Sequence, residues 1–326
     1  MLSVVLTPMK AIAAPTYGPL STLAQIDAPL PVPGPGEVRV RVVASALNCA
    51  DYKVILGTLK FLHARNRPLI MGYDFSGTVD AVGPVVSGVA VGDDVFGFLP
   101  YSPGNRRGAF AESLLAKSNE IAIKPPGITH TIAAAAATTG LTAIQAIRDV
   151  GRLPASDAEV LVTGVSGGVG SIGVGVAKRL NARVTAVGSG AGLELARKLG
   201  ASEAFDRTAR ALPGDIRDRF DVVFDAAAAY RWREWKGAIK PGGAFVSTLP
   251  SLGFVADKLV SLFARTHVHF VSVKSRPADL RLLASWLTDG LEVPLASTIP
   301  VRDVAKGLAR LQKAGGRIAV QVADGF

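Results

Sequence analysis

Val160–Gly175 reads VLVTGVSGGVGSIGVG, an apolar strand-like run that passes directly into Gly167, Gly168 and Gly170 and then into residues suited to a helix. A strand that reverses this tightly into a helix needs positions without a β-carbon. The same bare backbone lets a diphosphate approach the main chain of Ser166, Gly167, Gly168, Val169 and Gly170 at the positive end of the helix. A glycine string alone is weak evidence, because turns collect glycine. Here it follows a strand, opens a helix, and is followed by another strand that ends about twenty residues later, the spacing of a dinucleotide-binding unit.

Working outward, strand and helix alternate from residue 128 to residue 273, the pattern of a parallel sheet covered on both faces. A helix over Ile132–Val150 leads in. Strands are expected at Glu159–Thr163, Arg183–Val187, Asp221–Asp225, Ala244–Thr248 and Val268–Val273, with helices running to Leu180 and over Leu193–Leu199. The flanking regions differ. Val38–Ala44 (VRVRVVA) and Gly77–Val82 (GTVDAV) read as short antiparallel strands, and Pro29–Pro35 as a loop that cannot donate to a sheet. A helix over Asp279–Thr288 follows residue 274. The chain is therefore read as α/β with two domains: a β-rich one from 1–127 and 274–326, and a doubly wound one from 128–273.

Composition narrows the classes. At 326 residues the chain suits two domains, and apolar runs are too short to cross a bilayer. Met1–Met9 lacks a basic leader and a small-residue cleavage site, so no secretion signal is expected and the cytoplasm is the expected compartment. Cys49 is the only cysteine and the four histidines are scattered, which excludes an intramolecular disulfide and a Cys-rich metal lobe. The formal charge of +10 is dispersed, with small knots at Arg65/Arg67 and Arg106/Arg107. No aromatic-interleaved basic stripe accompanies it, which disfavours nucleic acid as a partner.

At the end of the second strand of the dinucleotide unit, where an acid holds the adenosine ribose of NAD, the chain has Gly188-Ser189-Gly190. Without that acid a 2′-phosphate is not repelled, and Ser189 can donate to it, so NADPH is favoured over NADH. Arg207, after the following strand, reads either as a positive partner for that phosphate or as a solvated surface charge. Thr163–Gly170 also has the TGxxxGxG spacing of short-chain dehydrogenases. Their Tyr-x-x-x-Lys pair is missing, since Tyr230 is followed by Glu234. A class I methyltransferase would carry an acid at the second strand end.

An ordered series of segments extends the reading over nearly the whole chain. These are Asn48–Lys53 (NCADYK), Gly72–Gly77 (GYDFSG), Val91–Val95 (VGDDV), Gly108–Glu112 (GAFAE), Gly140–Ala143 (GLTA), the glycine turn, Asp221–Asp225 and Lys240–Gly243 (KPGG). In order and spacing it resembles the zinc-free medium-chain dehydrogenase/reductase superfamily, in its quinone oxidoreductase and enoyl reductase branch. Leu59–Leu62 is closest to the quinone oxidoreductases and their mitochondrial reticulon-interacting relatives.

The resemblance implies a GroES-like catalytic domain joined to a Rossmann domain. It implies a reductase that passes a hydride from NADPH to a quinone or to the C=C of an α,β-unsaturated carbonyl, with a small-molecule substrate. Asn48 and Tyr73 align with a Cys and a His that bind catalytic zinc in related alcohol dehydrogenases. Neither is a strong zinc ligand, so no metal is expected and hydrogen bonds must polarise the carbonyl. Tyr52 and Lys53 are the implied donors, with Asn48 positioning nicotinamide or substrate. Thr142, Ala226 and Thr248 complete the implied cofactor contacts.

Structural readings stand beside these. Asn48 and Asp51 suit a helix cap, Lys53 suits solvent, Thr142 suits a bond back to its own helix, and Cys49 suits packing. The departures are Cys49 for the family's proline, Ala191-Gly192 for a basic loop, Ala226–Ala229 for a Gly-rich tail, and no tyrosine at Thr58 or Leu59. A NADPH-binding sensor or a crystallin-like structural protein is the alternative on the same fold. The last strand of the sheet suggests a two-fold homodimer. Substrate choice is assigned to the loops Thr58–Arg67 and Tyr101–Arg107.

Overall fold

The computed structural model describes residues 8–58, 68–101, 107–208 and 216–326. Leu59–Leu62, the remainder of that loop to residue 67, and residues 102–106 of the second substrate loop lie outside the described residues.

The chain begins with strands β1 (Pro8–Ala14), β2 (Ala24–Pro29) and β3 (Glu37–Ala46), then helix α1 (Cys49–Ile55). Strands β4 (Leu69–Ile70), β5 (Asp74–Val82), β6 (Asp94–Phe98), β7 (Ser113–Lys117) and β8 (Ile121–Ile123) follow, and then helix α2 (His130–Ile144). Next come β9 (Glu159–Thr163), α3 (Gly168–Arg179), β10 (Arg183–Gly188), α4 (Ala191–Lys198), β11 (Glu203–Asp206) and β12 (Phe220–Asp225). After α5 (Trp232–Trp235), β13 (Ile239–Ser247), α6 (Leu252–Ser261) and β14 (His267–Phe270), the chain closes with α7 (Pro277–Thr288), β15 (Leu295–Pro300), α8 (Val304–Arg310) and β16 (Arg317–Gln321).

Two compact units result. The first takes Met1–Thr138, Lys274–Thr288 and Leu295–Phe326; the second takes Thr139–Val273 and Asp289–Pro294. The division falls inside α2, eleven residues beyond the expected boundary at 127, and Thr138 at that point gives both its N–H and its hydroxyl to Asp74 of β5 in the first unit. Asp289–Pro294 joins the second unit through Arg179–Asp289 and Lys198–Glu292 ion pairs, and through Leu291, whose side chain reaches the space over Gly175.

In the first unit a mixed sheet runs β15-β16-β3-β5-β6-β8, with β7 on β3, and a smaller antiparallel sheet runs β2-β1-β4. The alternation read at Val38–Ala44 is explained by Val38, Val40 and Val42 facing a buried core with Phe75, Val95, Leu114 and Ile318. In the second unit the order is β11-β10-β9-β12-β13-β14, all parallel. The order reverses between β9 and β12, the switch point at whose strand ends such sheets bind ligands. The strands are apolar throughout because both faces are covered, with Leu161, Val223, Phe224 and Phe245 essentially inaccessible.

Three elements depart from expectation. The helix expected to Val150 changes at Gln145 into a wider turn, Gln145–Val150, closed by Gly151 N–H donating to the Ala146 carbonyl at 2.8 Å. Strand β13 starts at Ile239 and takes in Lys240–Gly243, where Gly242 adopts φ +84°. Strand β14 is shorter than Val268–Val273: Val271 still donates to the Ser247 carbonyl, and the chain leaves the unit after Val273.

Candidate active site

The glycine turn folds as its spacing demands. Gly164 sits at φ +67°, and a β-carbon on Gly170 would lie 2.3 Å from the Gly164 carbonyl oxygen, so the turn closes on bare backbone. Gly167 caps α3 in an extended conformation with no side-chain cap, leaving the first-turn N–H groups of Gly168 and Val169 without one. Nothing but the Gly164 oxygen, at 3.3 Å, approaches the missing side chain of Gly167. This is a cradle with room above it, backed by the positive end of a twelve-residue helix. Gly192 lets α4 close onto Ser166, whose β-carbon would stand 2.7 Å from a side chain there.

Ser189 and Arg207 are brought together. Gly188 of β10 pairs with Asp206 of β11, the Arg207 N–H donates to the Gly188 carbonyl at 2.7 Å, and the Arg207 Nε lies 3.4 Å from the Ser189 hydroxyl. The exposed carboxylate of Asp206, not singled out in the sequence, is turned onto the Thr208 N–H and hydroxyl at 2.9 and 2.7 Å, which lower its pKa. Its position at a strand end was the legible signal. A hydroxyl and a guanidinium at the end of β10, with that acid engaged elsewhere, suit a phosphate monoester.

Asp225, buried at the end of β12, accepts from Thr163 of β9 at 2.7 Å and from the N–H groups of Ala229 and Tyr230. Burial raises its pKa against those donors. It thereby ties the glycine turn to the following loop, where Ala226 accepts from the Thr248 hydroxyl at 3.3 Å. Thr142 is buried on α2 in the same unit.

In the first unit Asn48, Tyr52 and Lys53 share one short helix, but in different settings. Asn48 is 7% exposed, donating from Nδ2 to Asp74 at 2.9 Å and accepting at Oδ1 from Arg317 at 2.9 Å. Arg317 also donates to the carbonyls of Leu47 and Ala135 at 2.6 and 3.0 Å and pairs with Asp74 at 2.5 Å. Burial raises the Asp74 carboxyl, and the Arg317 cation with the Thr138 and Asn48 donors opposes that rise. Tyr52 is half-buried and packs on the first unit's core; Lys53 is half-buried, and its ammonium makes no ion pair among the described residues.

Asp51 caps α1, accepting the Asn48 N–H at 2.7 Å, while its Oδ1 is buried without a partner and burial pushes its pKa up to about 8. Thr138 and Arg317 escaped the sequence reading, and Asp74 entered it only as the acid of the Gly72–Gly77 segment, without a role. Asp74 is visible as an acid heading an apolar strand and Arg317 as a lone cation entering one, yet their pairing spans most of the chain. Among the described residues no group of three His, Cys, Asp or Glu side chains is placed to hold a metal, and no helix is long and apolar enough to cross a membrane.

Known proteins resemble this chain in both of its units. The family model described as "Alcohol dehydrogenase GroES-like domain" matches residues 34–126, and "Zinc-binding dehydrogenase" matches residues 168–274. The chain is 31% identical over 282 residues to 2-methylene-furan-3-one reductase of Solanum lycopersicum, covering 82% of this chain and 71% of that protein. It is 31% identical over 285 residues to an Arabidopsis thaliana protein named NADPH-dependent alkenal/one oxidoreductase, chloroplastic, with the same coverages. The solved quinone oxidoreductase from Coxiella burnetii superposes with a TM-score of 0.85 at 25% identity, over 97% of this chain and 100% of that one.

Proposed function

This chain belongs to the medium-chain dehydrogenase/reductase family, on its quinone oxidoreductase and enoyl reductase-like branch, and we propose from that membership a zinc-independent, NADPH-dependent reductase of quinones or α,β-unsaturated carbonyls. The observation that carries the cofactor reading is the Ser189–Arg207 pair standing at the end of β10 where an acid would select NADH. The uncapped start of α3 would hold the diphosphate, and Ala226 and Thr248 the ribose and carboxamide region. The name of the Arabidopsis relative supports the same cofactor.

When bound, the reduced nicotinamide supplies the hydride. The chain's residues orient the acceptor and stabilise the charge that develops on its carbonyl oxygen, the part of the reaction that fixed donors accelerate most. Lys53 and Tyr52 on α1 are the proposed donors. Asn48, held on one side by Asp74 and on the other by Arg317, is the proposed positioning residue, since its carboxamide cannot turn without breaking a buried pair.

Zinc does not fit this donor set. The position aligned with a zinc-binding cysteine is a neutral amide whose oxygen already faces the Arg317 cation at 2.9 Å, and a second cation there would be repelled. No step is assigned to a metal.

We further propose that two copies pair along β14. That strand is the edge of the six-stranded sheet, and beside it Val255, Leu259, Val260, Leu262, Phe263 and Phe270 are exposed, Phe263 at 96%. Phe254 of α6 meets Phe270 of β14 edge-on at 6.0 Å, so the apolar surface is continuous with the open edge.

The test follows NADPH and NADH consumption with 9,10-phenanthrenequinone and with a short 2-alkenal. Turnover of either acceptor with preference for NADPH is expected, and exchange of Arg207 for Ala should weaken NADPH more than NADH. Binding of NADPH without oxidation by either acceptor would favour the non-catalytic sensor reading instead.

A further inference from the structure

Resting on that reductase reading, we propose that Tyr101 is the proton donor that completes reduction of an α,β-unsaturated carbonyl. Tyr101 follows β6 in the first unit, where its ring lies 4.1 Å from that of Tyr73 and 6.2 Å from that of Phe98. Its hydroxyl is hydrogen-bonded with Thr138. The Thr138 hydroxyl gives its own hydrogen to Asp74, so in that contact the phenol donates and Thr138 accepts. Asp74 in turn holds the Asn48 carboxamide and Arg317. The phenol therefore enters the same buried cluster as Asn48 and stacks on Tyr73. Those are the two positions aligned with metal ligands of the zinc-dependent relatives, hence the place where a substrate carbonyl needs a partner.

The chemistry requires such a group. Once the β-carbon has received the hydride, with its electron pair, the substrate is an enolate, and a C–H bond must form at the α-carbon. The Tyr101 O–H bond breaks to supply that proton, and the resulting phenolate regains a proton from water. The sum is one hydride and one proton added across the double bond. The residues after Gly57, where a tyrosine would be looked for, are Thr58 and Leu59.

Tyr101 is suited in two ways. It is half-buried, neither sealed in the core nor free in solvent, and its hydroxyl hydrogen reaches a new acceptor by turning about the C–O bond. Burial, with the nearby Asp51, Asp74 and Tyr73, raises its pKa well above the ordinary 10, so it carries its proton throughout the neutral range.

The experiment compares the wild-type chain with Tyr101→Phe, which keeps the ring on Tyr73. Alkenal reduction is expected to fall about 100- to 10,000-fold in kcat, the range for loss of a general acid. Reduction of 9,10-phenanthrenequinone should stay within about twofold, because a hydroquinone anion is protonated by water without enzymatic help. NADPH binding, read by nicotinamide fluorescence, should be unchanged. In D₂O with a 2-methyl-2-alkenal, the wild type should deuterate one face of the α-carbon and Y101F both.

Equal losses on quinone and alkenal, or one-faced labelling by Y101F, would overturn the assignment. If Y101F melts early, 3-fluorotyrosine at position 101 keeps the shape and acidifies the phenol. The alkaline limb of the alkenal profile should then move to lower pH, and an unmoved limb overturns the assignment. A wild type that reduces neither acceptor removes the reductase reading itself, and Tyr101 with it.

Discussion

Replacing Asp51 with Asn should remove a pH dependence of the first unit's stability. The carboxyl is fully buried at the third position of α1, with one oxygen accepting the Asn48 N–H at 2.7 Å and the other unpartnered. Burial lifts its pKa from the ordinary 3.8 to about 8. The folded pKa is raised, so between those values the folded state holds a proton that the unfolded chain has released. The contribution is complete below the unfolded pKa and is lost as pH rises towards the folded one.

One such proton is worth about 1.4 kcal/mol per pH unit, so between about pH 5 and about pH 7 the loss is at most about 3 kcal/mol. Asn keeps an oxygen for the cap and does not titrate. The assay is urea unfolding at a series of pH values, read by amide exchange in peptides from β3 and β5 so that it reports the first unit. The difference between wild type and Asp51→Asn should shift in the variant's favour as pH rises, by up to that amount. Asp74 lies close enough to share the titration, which makes the figure a ceiling. A difference that stays constant across the series refutes the reasoning.

The glycine turn separates fold from binding. Gly170→Ala places a methyl 2.3 Å from the Gly164 oxygen and 2.9 Å from that of Thr163, and should cost the second unit about 1–3 kcal/mol in chemical denaturation. Gly167→Ala meets only the Gly164 oxygen, at 3.3 Å, and should melt like the wild type while binding NADPH about tenfold or more weakly in calorimetry. Arg317→Met strands the buried Asp74 carboxylate and should cost about 3–5 kcal/mol, much of it recovered by adding Asp74→Asn. Phe263→Glu should break the proposed β14 dimer into monomers in sedimentation without lowering the melting temperature, since that side chain is 96% exposed.

The Asp74–Arg317 pair also explains why the candidate site is harder to read than the cofactor turn. Asn48 reads from the sequence as a residue facing a ligand or capping a helix, and its carboxamide is shared between two buried charges that no local pattern announces. A pair of this kind adds little net stability by itself, because both ions lose water, but it penalises every arrangement that parts them. Its effect is to hold the start of α1, the head of β5, Thr138 on α2 and the start of β16 in one geometry.

What the amino-acid order determined alone is local. The glycines between β9 and α3, the alternation of β3, and the run of apolar strands separated by helices each arise from residues within one or two turns of one another. Ser189 and Arg207 were readable as strand-end residues for the same reason. Only the tertiary structure decided that Arg317 meets Asp74 across 243 positions, that α2 divides at Thr138, that Asp289–Pro294 packs with the second unit, and that Tyr101 joins Thr138 and Tyr73. Those contacts depend on how distant strands order themselves in a sheet. That ordering is set by burying the whole core at once, and no window along the chain contains it.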